Sequence, residues 1–243
     1  MDTVAARSVR RPRWRAYLLL SRVSNLPTVW TNVLAGLVAA HALLEWPGAV
    51  RLAAGVSLLY TAGMFLNDAF DYRVDAVERP DRPIPAGDVT ARAVFVSGFV
   101  MLAAGVIVVS LQPRPVAPLV WSLLLVAAIV HYNYRHKRNR LGPLMMGLCR
   151  GLVYCVAASA AVVTVPAAVL AAASCLMAYV VGLTEVAKRI GPRAGVVVPL
   201  LIAGISLFDA GVIASNGGSV ALIALAAAGF PATLLLQRVV PGT

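Results

Sequence analysis

Acidic residues are scarce in this chain: ten Asp and Glu in 243 residues, against 21 Lys and Arg. Cysteine and histidine are scarcer, with three of each. Cys149, Cys155 and Cys175 lie in apolar runs without C-x-x-C spacing. They read as small buried residues and imply neither a disulfide framework nor zinc. His41, His131 and His136 share no ligand spacing, which argues against a histidine metal centre. Only 13% of residues are charged, and the longest polar segment is 67–92, so no separate extramembrane domain is expected. The N-terminus is basic but has no short apolar core followed by an A-x-A-like site, so no removable signal peptide is expected.

Hydrophobic residues make up 60% of the chain, and the mean hydropathy is +0.83. These values describe a polytopic membrane protein. Apolar stretches place helices near 26–44, 48–66, 93–111, 115–134, 144–165, 167–183, 195–214 and 219–236. The expected fold is all-α, a transmembrane bundle of about eight helices forming one domain over 1–243. Residues 1–22 form a basic segment. Trp14, Tyr17 and Leu18 among its arginines suit partial burial in the membrane interface.

The basic residues orient the bundle. Arg7, Arg10, Arg11, Arg13, Arg15 and Arg22 precede the first helix, and Arg73, Arg79, Arg82 and Arg92 follow the second. Arg135, Lys137, Arg138 and Arg140 follow the fourth; Lys188, Arg189 and Arg193 follow the sixth; Arg238 follows the eighth. The opposite loops hold only Arg51 and Arg114, an asymmetry of 18 to two with intramembrane Arg150 set aside. The positive-inside rule then puts both termini on the cytoplasmic side. The net charge of +11 reflects this topology and attraction to anionic headgroups, and no nucleic-acid binding is expected. Nineteen Arg against two Lys, with abundant Ala and Val, suggests a bacterium of high genomic GC content and hence its plasma membrane.

The scarce acid is concentrated. Residues 67–75 read NDAFDYRVD. At about 100° per residue, Asp68, Asp71 and Asp75 fall on one helix stripe about 60° wide. Carboxylates so placed repel one another unless cations sit among them, and hard oxygen donors suit Mg²⁺ bridging to a substrate phosphate. Pro80, Pro83 and Pro85 stop the helix, and Gly87-Asp88 turns the chain. Arg79 and Arg82 can then fold back toward the carboxylates and hold phosphate oxygens.

Asn67 through Asp75, followed by ERPDRPIPAG, resembles the first aspartate-rich motif and adjoining loop of the UbiA family of intramembrane prenyltransferases. R22-VSNLPTVWTNVLAG-36 resembles the family's first helix, and H131-YNYRHKRNRLGPLMMG-147 its fourth-to-fifth connection. The resemblance implies a bundle around a central cavity. It implies Mg²⁺-dependent transfer from a prenyl diphosphate to an aromatic or other lipophilic acceptor among membrane lipids. Asn67, Asp68, Asp71 and Asp75 would be its catalytic residues, with Asp68, Asp71 and Asp75 holding the metal. Arg22, Asn32, Arg79, Arg82, Lys137 and Arg150 would be on the diphosphate.

The family's second aspartate-rich motif is replaced by Y179-VVGLTEVAKRIGPRAG-195, where Glu185 is the one acid. Either Glu185 supplies one carboxylate to a reduced metal site while Lys188 and Arg189 hold diphosphate oxygens, or the second metal is lost and the chemistry is slow or altered. The plain reading of Glu185 and Arg189 is an ordinary i,i+4 pair. The LTEVA sequence resembles the EboC-like branch, which implies a cyclitol-like acceptor. Arg150, about two turns into the fifth helix, needs a cavity or a partner. Asn32 lies seven residues after Asn25 on an inward face, open to a substrate role or to helix packing. Asp209 reads as a packing residue or a partner of the Arg114 loop. Tyr132, Tyr134 and Tyr179 could flank a carbocation. A terpene cyclase or lyase without external acceptor, and a non-enzymatic lipid-diphosphate binder or transporter, remain alternatives. Charge concentrated at the cytoplasmic rim favours chemistry there over transport.

Overall fold

The computed structural model describes residues 11–135 and 141–242. Lys137, His136, Arg138 and Arg140 lie outside the described residues, and with them the middle of the fourth-to-fifth connection. A short helix, α1 (Arg13–Ser21), leads into α2 (Leu26–Ala39), α3 (Trp46–Glu78), α4 (Ala91–Ser110) and α5 (Val116–Arg135). Then come α6 (Gly142–Ala161), α7 (Ala167–Arg189), α8 (Ala194–Ser215) and α9 (Val220–Gln237). Among the described residues there is no strand. The eight expected helices are α2 to α9, and the expected all-α bundle is observed.

Local chemistry sets the boundaries. Thr90 and Ser219 cap α4 and α9, each accepting a backbone N–H with its hydroxyl. Pro27, Pro47 and Pro143 sit in the first turns of α2, α3 and α6, where a missing N–H costs nothing. The acidic stripe does continue a membrane helix: α3 runs unbroken for 33 residues and stops just before Pro80. Gly87 then takes a φ of 77° in the turn that leads to α4.

Seven helices, α3 to α9, are long and apolar enough to cross a membrane. Helix α2 is the exception. Expected over 26–44, it ends at Ala39 after 14 residues, short of the ~20 that span a bilayer. It compensates by position. It packs against α3, α6, α7, α8 and α9, and apart from Trp30 its side chains are buried or half-buried. Its surroundings are protein rather than lipid, so a short span is tolerated. Pairs α3–α4, α6–α7 and α8–α9 pack around this hub. Outward faces are apolar, as Phe99, Val100 and Ile107 on α4 and Leu123 and Leu124 on α5 illustrate.

Close backbone approach fixes the inner helices. A methyl group at Gly36 of α2 would stand 2.8 Å from the Tyr154 carbonyl oxygen of α6. One at Gly55 of α3 would stand 2.9 Å from the Val109 backbone nitrogen of α4. Small residues at such crossings let membrane helices touch, where van der Waals packing drives association. The basic leader also docks on the bundle: Ala16 and Leu20 of α1 are buried, and Tyr17 stacks on Phe65. Trp14 stays exposed. Cys155 is buried, Cys149 half-buried and Cys175 exposed, so burial holds for only part of the trio.

Candidate active site

The end of α3 builds the polar part of the site. Asp68, Asp71 and Asp75 are all buried, on the face turned away from lipid. Two guanidinium groups from different chain segments meet the charge of Asp68 and Asp75. Arg22 reaches Asp68 at 3.0 Å, and Arg82 reaches Asp68 at 3.1 Å and Asp75 at 2.7 Å. Arg22 is aimed by its backbone. It adopts a left-handed φ of 46° between α1 and the 3-10 turn Val23–Asn25, a conformation a non-glycine residue holds only when its surroundings enforce it. Its other nitrogen donates to the Met64 sulfur. Arg82 folds back because the Pro80–Pro85 segment reverses the chain. That loop is clamped in turn by Arg11, whose backbone N–H donates to Asp88 and whose side chain donates to the Asp81 carbonyl.

Beside these residues opens a cavity of about 440 Å³. Arg22, Asn67, Asp71, Asp75, Arg79, Arg82 and Arg150 all contribute to its wall. Asn67 is oriented by Asn133 at 3.2 Å, which itself donates to the Gly63 carbonyl. The deeper wall is apolar, with Val29, Val56, Leu125, Ile129, Val153 and Ile205. Tyr60 and Tyr132 also line it. Tyr134 is exposed instead, and the Tyr179 hydroxyl donates to the Leu201 carbonyl.

Other residues singled out in the sequence fall elsewhere. Asn32 is fully buried behind the wall and does not line the cavity. Its amide binds Asp209 and accepts from Arg150. Glu185, Lys188 and Arg189 occupy the exposed side of the last turn of α7, with Glu185 paired to Lys188 at 2.8 Å and to Arg189 at 3.5 Å. From that turn Thr184 and Ala187 face the cavity. Of the two readings of Asp209, the structure shows helix packing rather than the Arg114 loop: it is fully buried and bonded to Thr31, Asn32 and Tyr154. Tyr60, Asn133 and Tyr154 were missed. Their one sequence signal is a polar group inside an apolar run, too common in membrane helices to single them out.

Among the described residues, no three acidic, His or Cys side chains converge on one point. Mg²⁺ does not need three. It commonly takes one or two carboxylates and completes its octahedron with water and phosphate oxygens. Asp71 and Asp75, both in the cavity wall, fit that requirement as hard oxygen donors.

Comparison with known proteins finds relatives in fold and in sequence. Two solved structures share the fold. One, described as giving structural and mechanistic insights into the biosynthesis of digeranylgeranylglyceryl phosphate synthase in membranes, has a TM-score of 0.61 at 16% identity. It covers 94% of this chain and 88% of the other. The second, the apo structure of a UbiA homolog from Aeropyrum pernix K1, has a TM-score of 0.60 at 17% identity, covering 91% and 95%. In sequence, the chain is 40% identical over 92 residues to digeranylgeranylglyceryl phosphate synthase of Methanopyrus kandleri, covering 38% of this chain and 34% of that protein. It is 26% identical over 143 residues to the synthase of Methanococcus aeolicus, covering 57% and 50%. The matches span between a third and a half of these curated relatives. Both are archaeal and are named for a glyceryl phosphate product, neither aromatic nor cyclitol. The UbiA prenyltransferase family matches residues 28–241, nearly the whole chain, and to that family this chain belongs.

Proposed function

We propose that the protein transfers a prenyl group from a prenyl diphosphate to a lipophilic acceptor inside the membrane. The observation that carries this reading is one cavity with a charged end and an apolar remainder. Arg22, Asp71, Asp75, Arg79 and Arg82 stand at one end, and the rest is lined largely by apolar side chains, with Arg150 a further charged group in its wall. A prenyl diphosphate has the same division.

Members of this family generally use Mg²⁺, and when held by Asp71 and Asp75 it supplies positive charge to the departing diphosphate. The chain's own residues do the rest. Arg22, Arg79 and Arg82 place guanidinium forks where negative charge develops as the allylic C–O bond breaks and diphosphate leaves with the electron pair. Asp68 and Asp75 keep the Arg22 and Arg82 groups in place. Asn67, fixed by Asn133, offers its amide to the same end. Val29, Val56, Leu125 and Ile129 enclose the prenyl chain and keep water from the allylic cation. The acceptor's nucleophilic oxygen or carbon then bonds to that carbon and loses a proton. The relatives' names favour a glycerophosphate lipid as acceptor over the aromatic or cyclitol-like one expected from sequence. The membrane is taken as the cell membrane, with the charged end on its cytoplasmic face. Turnover of labelled geranylgeranyl diphosphate in nanodiscs, with alkylglycerol phosphate or 4-hydroxybenzoate supplied as acceptor, tests the reading. A prenylated product supports it, and free prenyl alcohol or a cyclised hydrocarbon as sole product contradicts it.

A further inference from the structure

The cavity contains a second cationic region, apart from the aspartate-rich end. The Arg150 guanidinium carbon lies 5.3 Å from the centre of the Tyr60 ring. Tyr60 precedes Asp68 by eight residues and Asp71 by eleven, so along α3 it lies about 12 and 16 Å deeper. A diphosphate held at the carboxylates does not extend that far. Arg150 therefore faces a different part of whatever fills the cavity.

What holds Arg150 is unusual for a membrane interior. Asn32 donates its Nδ2 to both oxygens of Asp209, at 3.0 and 2.9 Å. Asp209 also receives the hydroxyls of Tyr154 and Thr31. An ionised carboxylate only accepts hydrogen bonds, so it commits the NH₂ end of Asn32 to itself. The Asn32 carbonyl oxygen is left facing Arg150, 2.9 Å from its Nη1. An amide is free to present either end, and here a buried carboxylate decides which one meets the arginine. A fully buried acid within an apolar bundle is costly. Helix packing alone would be served by a neutral amide or hydroxyl at position 209. The cost is intelligible if the negative charge supports Arg150 from behind without occupying it. Five N–H donors belong to a guanidinium, and those not turned to Asn32 remain for the cavity.

We propose that Arg150 receives the anionic group of the acceptor, and that Asp209 is a positioning residue that aims Arg150 through Asn32. The proposal rests on the prenyl-transfer reading above and divides its site: diphosphate at the rim, acceptor anion at Arg150. Removing Asp209 loosens the amide, lets it turn its NH₂ toward the guanidinium, and weakens the anion's receptor without touching the rim.

The test measures binding to the whole protein in zwitterionic nanodiscs, using three probes. These are a long-chain alkylglycerol phosphate, the same alkylglycerol without phosphate, and geranylgeranyl diphosphate with Mg²⁺. Wild type is expected to favour the phosphate-bearing lipid by roughly tenfold, the value of one charge-assisted contact. Arg150→Met should abolish that preference and Asp209→Asn reduce it several-fold, both leaving geranylgeranyl diphosphate affinity within about twofold. Arg150→Lys, which keeps the charge and loses the fork, should retain part of the preference, and it serves as the probe if Asp209→Asn fails to fold. Full preference in Arg150→Met, or equal loss of donor and acceptor binding in Asp209→Asn, overturns the assignment. Inorganic phosphate competing as well as the lipid would overturn it too, by making the site a general anion site. Absence of geranylgeranyl diphosphate binding in wild type is a separate result, which would sink the prenyl-transfer reading itself.

Discussion

Arg82 donates to Asp75 across 2.7 Å, tying the loop after α3 to the helix it has just left. The same nitrogen lies 3.1 Å from Asp68, two turns earlier. One guanidinium thus closes a stripe of buried carboxylates and, from the same place, faces the cavity.

Arg82→Ala should therefore weaken prenyl-diphosphate binding by roughly 10–100-fold, the range of a lost charge-assisted contact. It should also lower the melting temperature in detergent, because buried Asp75 and Asp68 both lose their ion pairs with Arg82. Binding isotherms beside a thermal melt check both effects. Unchanged affinity would place the diphosphate elsewhere.

Gly36→Leu should destabilise the bundle by about 1–3 kcal/mol or more, since its side chain must displace the Tyr154 backbone. Gly182, with open space around it, accepts alanine without that penalty. Comparing melting temperatures of the two variants separates helix contact from a general intolerance of larger side chains.

Much of the fold was legible because membrane spans depend on local composition. The end of α3 was legible too: Pro80, Pro83 and Pro85 exclude a longer helix, and Arg82 had little room except back toward Asp75. The length of α2 was not. Its apolar run continues to Leu44, and only the helix's burial among five neighbours explains why it can stop at Ala39. Asp209 was left between helix packing and the Arg114 loop for a similar reason. Its contact with Asn32 joins residues 177 apart, and no periodicity records which helix faces which. For Glu185, sequence left two readings, and the exposed pairing with Lys188 and Arg189 gives weight to the plainer one.

Lys188→Ala and Glu185→Gln should accordingly leave donor affinity and the Mg²⁺ dependence of turnover within about twofold of wild type, since exposed pairs contribute little. A Mg²⁺ titration of each variant is the check. A shifted Mg²⁺ requirement would return this turn of α7 to the site.

The charge asymmetry also predicts which face carries the chemistry. In a background lacking Cys149, Cys155 and Cys175, Val77→Cys is exposed and close to the acidic stripe. It should resist an impermeant thiol reagent in intact cells and react after lysis. Arg114→Cys, on the opposite side, should react from outside. The reverse pattern would invert the map.

Everything proposed for the site turns on ionisation of a prenyl diphosphate at the carboxylate end of the cavity. Its most direct test is diphosphate release from geranylgeranyl diphosphate by purified protein in nanodiscs, with and without Mg²⁺, for wild type and Asp71→Asn. Wild type should show Mg²⁺-dependent release and the variant a loss of roughly 100-fold or more, with the melting temperature preserved. Equal release by Asp71→Asn at limiting Mg²⁺ would contradict it.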